Sequence, residues 1–436
     1  MPNESTQTLE ASGKLRSELA ANLFARLREM SFDGIGISRE TYGPSETAAM
    51  ELVAKEAEVH GLETEWDAAR NMIVRLPGQD RRLAAVATGS HLDSVPQGGN
   101  YDGAAGVIAG LLALIEAKTQ GAPRRSMEVY ALRGEESAWF GGPCYFGSRA
   151  LFGQIEASDL ASRHRDTGTT LAEQMLASGA DMTIIEGKQT IRPAEDFHAW
   201  FELHIEQGPV LIAKEKPVGI VTGIRGNTRR RHVKCVGEAA HSGAVPRWLR
   251  HDAVLAMSEL LMRLDEHWRV LLAWGEDLVF TTGIVETDPT EHAVSRVPGQ
   301  VTFAIEFRSQ DKKTIENFSK ILVTECEKIG GERGVCFDLG DAVSSAPAKM
   351  SGKMVALVEG EAQAAGLDYE IMPSGAGHDT AVFANAGVPA TMIFVRNDKG
   401  SHNPHEAMDM ADFARGTDLL TRSMIKAANS AEDMRA

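Results

Sequence analysis

The chain has 436 residues, 43% of them hydrophobic and 24% charged, with a net charge of −16 and a pI near 5.3. That length exceeds one ordinary hydrophobic core and predicts two domains, and the composition is that of a globular protein rather than a disordered or membrane one. The acidity argues against nucleic acid or an anionic membrane as a partner, and no apolar run reaches the roughly 18–20 residues that span a bilayer.

In chain order, residues 13–30 place Leu15, Leu19, Leu23, Leu27 and Met30 at helical spacing, and a second helix is expected from Ser45 to Val59, stopping near Gly61. Residues 72–76 and 83–88 are apolar runs of strand length. Gly103 to Ala117 reads as a leucine-rich helix and Met127 to Leu132 as a strand, an alternation that predicts an α/β domain with a substantially parallel sheet. From about 217 to 340 the pattern changes. Strand-like runs at Val218–Gly223 and His232–Val236 are followed by a helix from Leu249 to His267. Strands near Leu278–Val285 and Val301–Phe307 and a helix from Lys312 to Ile329 complete it. The order β-α-β-β-α-β fits a ferredoxin-like α+β unit. After Lys349 the α/β pattern returns, with a helix to Ala365 and a strand at Ala390–Val395. The expectation is a catalytic domain (1–216 and 341–436) interrupted by an inserted lid or dimerisation domain (217–340).

The four cysteines, Cys144, Cys235, Cys326 and Cys336, are far apart with no CxxC spacing, so neither a thiolate metal site nor a disulfide framework is indicated. Met1 to Thr8 is polar and lacks the apolar core of a secretory signal. Both observations predict a cytoplasmic protein.

Four short blocks carry chemistry. They are Gly89-Ser90-His91-Leu92-Asp93 running on to Tyr101-Asp102-Gly103; Gly134-Glu135-Glu136; Glu202 to Gly208; and Gly400-Ser401-His402-Asn403-Pro404. Divalent ions favour neutral imidazole and carboxylate, and these blocks offer His91, Asp102, Glu136, His204 and His402. A histidine, an acidic pair or a glycine-rich turn is ordinary alone; their co-occurrence behind a strand is what points to a metal site. Two ions about 3.5–4 Å apart need a bridging ligand, and Asp102, in a glycine-rich loop, is the candidate. Asp93 is placed to orient an imidazole. Of the adjacent Glu135 and Glu136, one would bind metal and the other take a proton from water.

The segments GSHLDSVPQGGNYDGAAGV, GEESAWFGGPCYFGSRALFG, FELHIEQGPVL, GEAAHSGAVPRWLRHDA, SGAGHDTAVFA and GSHNPHE resemble the amidase/hydantoinase/carbamoylase family, related to aminoacylase-like metallopeptidases. The similarity runs in order from about Gly34 to Asp409. It implies a di-metal aminopeptidase-like catalytic domain and two divalent ions per subunit (zinc, manganese, cobalt or nickel). It further implies a homodimer acting on small carboxylate-bearing substrates.

By position, the resemblance implies ligation by His91, Asp102 (bridging), Glu136, His204 and His402, with Glu135 as general base and Asp93 supporting His91. It places Gln207 and His378 at the substrate, His241 on the developing oxyanion, often across a dimer, and Arg308 on the substrate carboxylate. Ser295 departs from the pattern, standing where the family commonly has an asparagine near that carboxylate. Trp139, Arg247 and Arg396 depart as well. The activity implied is hydrolysis of a linear ureido or amide C–N bond, as in an N-carbamoyl-L-amino acid hydrolase. An N-acyl-amino acid amide hydrolase with a remodelled pocket is the alternative.

Overall fold

The computed structural model describes residues 4–435, with side chains from Leu15 onward. The reading of Met1–Thr8 as lacking a signal therefore falls partly outside the described residues. The chain divides into two compact units, one running to Gly223 and resuming at Lys349, the other Ile224–Ala348.

The first unit is built on a mixed sheet. Its strands lie in the order Glu63–Trp66, Met72–Leu76, Met127–Leu132, Ala85–His91, Phe197–Ile205, Ala390–Val395, Val218–Ile224. The central strands, from Met127–Leu132 to Ala390–Val395, are mutually parallel, and antiparallel pairs flank them. Every residue of Ala85–His91, Phe197–Ile205 and Ala390–Val395 is buried; the first and last are accordingly runs of mostly small or apolar residues, whereas Phe197–Ile205 buries His198, Glu202 and His204 among its apolar residues. Helix Ala104–Thr119 packs against four of the sheet strands, and the amphipathic Met410–Asn429 covers it. Trp200 stacks on Phe383 with centroids 3.5 Å apart and donates its indole N–H to Thr380, closing the layer around the later strands.

The second unit has two long strands, Gly226–Val236 and Gln300–Ser309, paired antiparallel, with short strands on each outer edge. Along Gln300–Ser309, Val301, Phe303, Ile305 and Phe307 point to one face. There they meet helices Ala253–Ala273 and Lys312–Arg333 in a separate core. The strand order, 2-3-1-4 in chain sequence, is the expected ferredoxin-like one.

Three expectations are corrected. The run at Val218, expected to open the inserted unit, lies instead beside Ala390–Val395, with Val221 opposite Met392. At the other end Val343–Ser345 pairs with Gly226–Val236, so the second unit extends beyond 340. An isolated apolar run does not encode which of two sheets it joins. The strand expected at Leu278–Val285 is split into Val279–Thr281 and Val285–Glu286, both alongside Gln300–Ser309. No helix among the described residues is long and apolar enough to cross a membrane.

Candidate metal centre

The parallel strands deliver their carboxyl ends to one place, the position at which open α/β sheets bind ligands. Ala85–His91 ends on His91; Met127–Leu132 is followed directly by Arg133-Gly134-Glu135-Glu136; Phe197–Ile205 carries His204; and the loop after Ala390–Val395 carries His402. The fifth group, Asp102, stands just before helix Ala104–Thr119. Between them Gly103 adopts φ +66°, and a Cβ there would lie 2.6 Å from the His91 ring, so only glycine lets the carboxylate and the imidazole meet.

Asp102 faces two ways. Its Oδ1 lies 3.1 Å from His204 Nε2 and 3.5 Å from His91 Nε2, while its Oδ2 lies 3.4 Å from His402 Nε2. His402 Nε2 is in turn 3.6 Å from Glu136 Oε1. His91, Asp102 and His204 thus form one triad of converging ligand atoms, and Asp102, Glu136 and His402 a second.

The histidines are turned correctly for this. His91 Nδ1 faces Asp93, 3.1 Å from its carbonyl and 3.2 Å from Oδ1, and His204 Nδ1 is 2.9 Å from the Ile205 carbonyl. Each outward N–H is thereby occupied, leaving Nε2 with its lone pair in the cluster.

The electrostatics describe a site built for cations. Burial pushes Glu136 up to about 7, with Asp102 adding to it, and burial holds Glu135 well above the carboxylate range against the pull of His91. Burial would lower His91, but Glu135, Asp102 and Asp93 outweigh it and hold the imidazole well above its ordinary value. His402 is raised to about 9 by its contact with Asp102. Asp102 itself, despite burial, is held well below its ordinary value by His204, His402 and His91. Glu136 Oε1 is buried without a hydrogen-bond partner. An unpaired carboxylate oxygen beside imidazole Nε2 atoms, whose protons a bound cation would displace, fits divalent ions.

Other predicted residues divide between the units. Gln207, at φ +61°, donates from Nε2 to Asp102 Oδ2 (2.9 Å), and its Oε1 is buried without a partner. His378 is buried with its ring centroid 4.5 Å from that of His204, and burial together with the neighbouring His204 holds it well below its ordinary value, hence neutral. Trp139 donates its indole N–H to the Ser94 carbonyl (2.7 Å), bracing the loop after Asp93.

His241, Ser295 and Arg308 belong to the second unit. His241 is exposed, and its Nδ1 accepts N–H bonds from Gly243 and Ala244 (both 3.1 Å), which places the ring proton on Nε2. The Ser295 carbonyl accepts the Ser242 N–H at 2.8 Å, so that position supports the His241 turn through its backbone. Arg308 lies on the strand face opposite the helices and pairs with Glu306 (3.0 Å).

Sequence reasoning missed Glu406. Its buried carboxylate accepts the backbone N–H groups of Tyr101 (2.8 Å) and Asp102 (3.3 Å) and the Ser401 hydroxyl (2.7 Å), tying the Asp102 loop to the His402 loop. Its place four residues after His402 was the available signal. Thr41 and Glu46 were missed too; Glu46 follows Pro44 at a helix start and reads there as an ordinary acidic first-turn residue.

A sheet of this kind ending in a buried carboxylate–imidazole cluster defines a metal-dependent hydrolase. The profile of Peptidase family M20/M25/M40 matches residues 87–426, and the chain belongs to that family. It is 34% identical over 396 residues to the allantoate amidohydrolase of Escherichia coli (strain K12), covering 90% of this chain and 93% of that protein. It is 30% identical over 413 residues to the N-carbamoyl-L-amino-acid amidohydrolase of Paenarthrobacter aurescens, covering 94% and 98%. Among solved structures it resembles an amidase of the hydantoinase/carbamoylase family from Burkholderia multivorans. The TM-score is 0.83, with 27% identity over 95% of this chain and 98% of the other.

Proposed function

We propose that this enzyme hydrolyses a linear ureido C–N bond in a small carboxylate-bearing substrate, as its relatives named allantoate and N-carbamoyl-L-amino-acid amidohydrolases do. The observation that carries the reading is Asp102 with its two oxygens turned to two different ligand triads. His91 and His204 would hold one ion, Glu136 and His402 the other, with Asp102 between them. Such ions lower the pKa of water towards ~7 and polarise a carbonyl.

The chain's own residues do the rest. Glu135, beside the cluster and raised by burial, takes a proton from the attacking water and returns it to the leaving nitrogen. Gln207, held by Asp102, offers Oε1 to a ureido N–H. Neutral His378 lines the pocket without adding charge. His241 donates from Nε2 to the developing oxyanion, a contact whose worth grows where water is excluded. Arg308 binds the substrate carboxylate, exchanging Glu306 for it. With a carbamoyl amino acid the products are the amino acid, carbon dioxide and ammonia.

The inserted unit exposes Trp248, Leu249, Leu255 and Met262, an apolar surface that supports a homodimer, testable by light scattering on the eluted peak. The four free cysteines fit a reducing, cytoplasmic setting.

The decisive assay is ammonia release by the zinc- or manganese-loaded protein from allantoate, ureidopropionate and a set of N-carbamoyl amino acids, with Glu135→Gln as control. Ammonia from the wild type alone supports the reading and names the substrate. Release of a carboxylic acid from N-acyl amino acids, with no ammonia from the ureido panel, would replace it.

A further inference from the structure

The residues that aim the catalytic acidic pair do not all lie in the segment that defines the family. Thr41 precedes the matched residues 87–426 and is wholly buried. Its hydroxyl donates to Asp93 Oδ2 at 2.5 Å. That same oxygen accepts the Glu136 N–H (3.1 Å), while Oδ1 accepts the Glu135 N–H (3.1 Å) and faces His91 Nδ1 (3.2 Å). A carboxylate offers about four acceptor sites, and Asp93 has a donor for each. Asp93 therefore does more than orient His91. It pins the backbone of both Glu135 and Glu136, and Thr41 is the one donor that comes from outside the two loops being pinned.

The rest of the Arg39–Glu46 segment grips the same loops. Arg39 N–H donates to Ser94 Oγ (2.9 Å). Glu46, buried in a pair with Arg133, accepts the Gly134 N–H (2.9 Å), the Arg133 guanidinium (2.8 Å) and the Tyr42 N–H (2.7 Å). Gly134 turns at φ +63°, and a Cβ there would come within 2.6 Å of Thr41 Cγ2. The methyl of Thr41 thus supports the turn into Glu135, and its hydroxyl holds the carboxylate that fixes the Glu135–Glu136 backbone.

We propose that Thr41 is a positioning residue for the Glu135–Glu136 pair and for His91, acting through Asp93. The proposal rests on the hydrolase reading for its kinetic arm but not for its metal-binding arm. Thr41→Val keeps the shape and the methyl contact and removes only the donor. It is expected to lower kcat roughly 10–100-fold with KM within about twofold, and to weaken zinc binding, measured by competition with a chelator, by roughly tenfold. Thr41→Ser should recover both to within about threefold. If valine does not fit, Thr41→Ser against Thr41→Ala isolates the same hydroxyl.

A wild type that turns over none of the ureido panel defeats the hydrolase reading alone, and the zinc competition still decides the positioning. Equal kcat and equal zinc affinity in Thr41→Val and wild type would overturn the proposal. So would equal impairment of the serine variant and its hydroxyl-free counterpart, which would assign the effect to packing.

Discussion

The candidate metal cluster and the predicted residues of the inserted unit are built on opposite principles. His91, Asp102, Glu136 and His204 are at most 4% exposed, and hydrogen bonds orient both of these imidazoles; His402 is the exposed member, its side chain 53% exposed. His241 and Ser295 are exposed, and Arg308 sits on an open sheet face with an acid beside it. Chemistry that must be identical at every turnover is placed where packing decides geometry. On the proposed reading, recognition of the substrate's far end would fall to a surface where one substitution changes a contact without unfolding anything.

Breaking the buried side should cost most. Glu135→Gln is expected to reduce kcat by roughly 10²–10⁴-fold while leaving KM and zinc content near wild type, since the amide keeps the size and loses the base. Steady-state kinetics with metal analysis checks it; a residual kcat within about threefold of wild type would move the base elsewhere. On the open side Arg308→Ala should raise KM about 10–100-fold, the worth of a charged hydrogen bond, with kcat changed far less. Arg308→Lys should recover little of it, because an ammonium lacks the two-pronged geometry. Unchanged KM in Arg308→Ala would reduce that arginine to a partner of Glu306.

The buried cluster also carries a pH response. In metal-free protein the folded value of His402, about 9, exceeds the ordinary 6.5. Its pairing with Asp102 therefore stabilises the fold fully below about 6.5, and the contribution is lost as pH rises through about 9. Glu136, raised to about 7 chiefly by burial, acts in the same direction: ionising it costs the fold as pH climbs from its ordinary 4.5 to 7. Chelated protein should therefore melt at progressively lower temperature from about pH 5 to 9. The gain in melting temperature on adding zinc should grow over the same range, because bound imidazole and carboxylate must be deprotonated. A zinc gain that shrinks with pH would contradict the ligand set.

The same contrast explains what the sequence disclosed. The candidate ligands stand out because short blocks at or near strand ends carry most of them: His91 closes its strand, His204 is the last residue but one of its own, and Glu135-Glu136 follow theirs closely. The longer helices at 13–30, 45–59, 103–117, 249–267, 312–329 and up to 365 and the strands at 72–76, 127–132 and 390–395 were legible from apolar patterns of the right length, whereas the helix Met410–Asn429 was not read. Thr41, Glu46 and Glu406 were not. The partners that give them their place at the site are remote in the chain, 52 residues away for Thr41 and 305 for Glu406, and a short window records at most their nearby contacts, such as Glu406 with Ser401. The boundary strand Val218–Ile224 failed for a related reason, since its partner Ala390–Val395 arrives only after the inserted unit.

The finest test of the open region is the acid beside Arg308. Glu306 is shared: it pairs with Arg229 on the adjacent strand and with Arg308 on its own. Burial would raise its pKa, but the two arginines hold it below the ordinary value, so it is ionised and, on the proposed role of Arg308, would compete with a substrate carboxylate for it. Removing Arg229 turns Glu306 more fully towards Arg308 and tightens that hold. Arg229→Ala should then raise KM about two- to threefold with kcat unchanged. The change in stability should stay within about 1 kcal/mol, because the Arg229 side chain is 42% exposed and solvent screens the pair. Glu306→Gln should move KM the opposite way, since a neutral amide releases Arg308 to the substrate. If both variants shift KM in the same direction, Glu306 shapes the surface sterically and does not act as the competitor that sets how readily Arg308 changes partners.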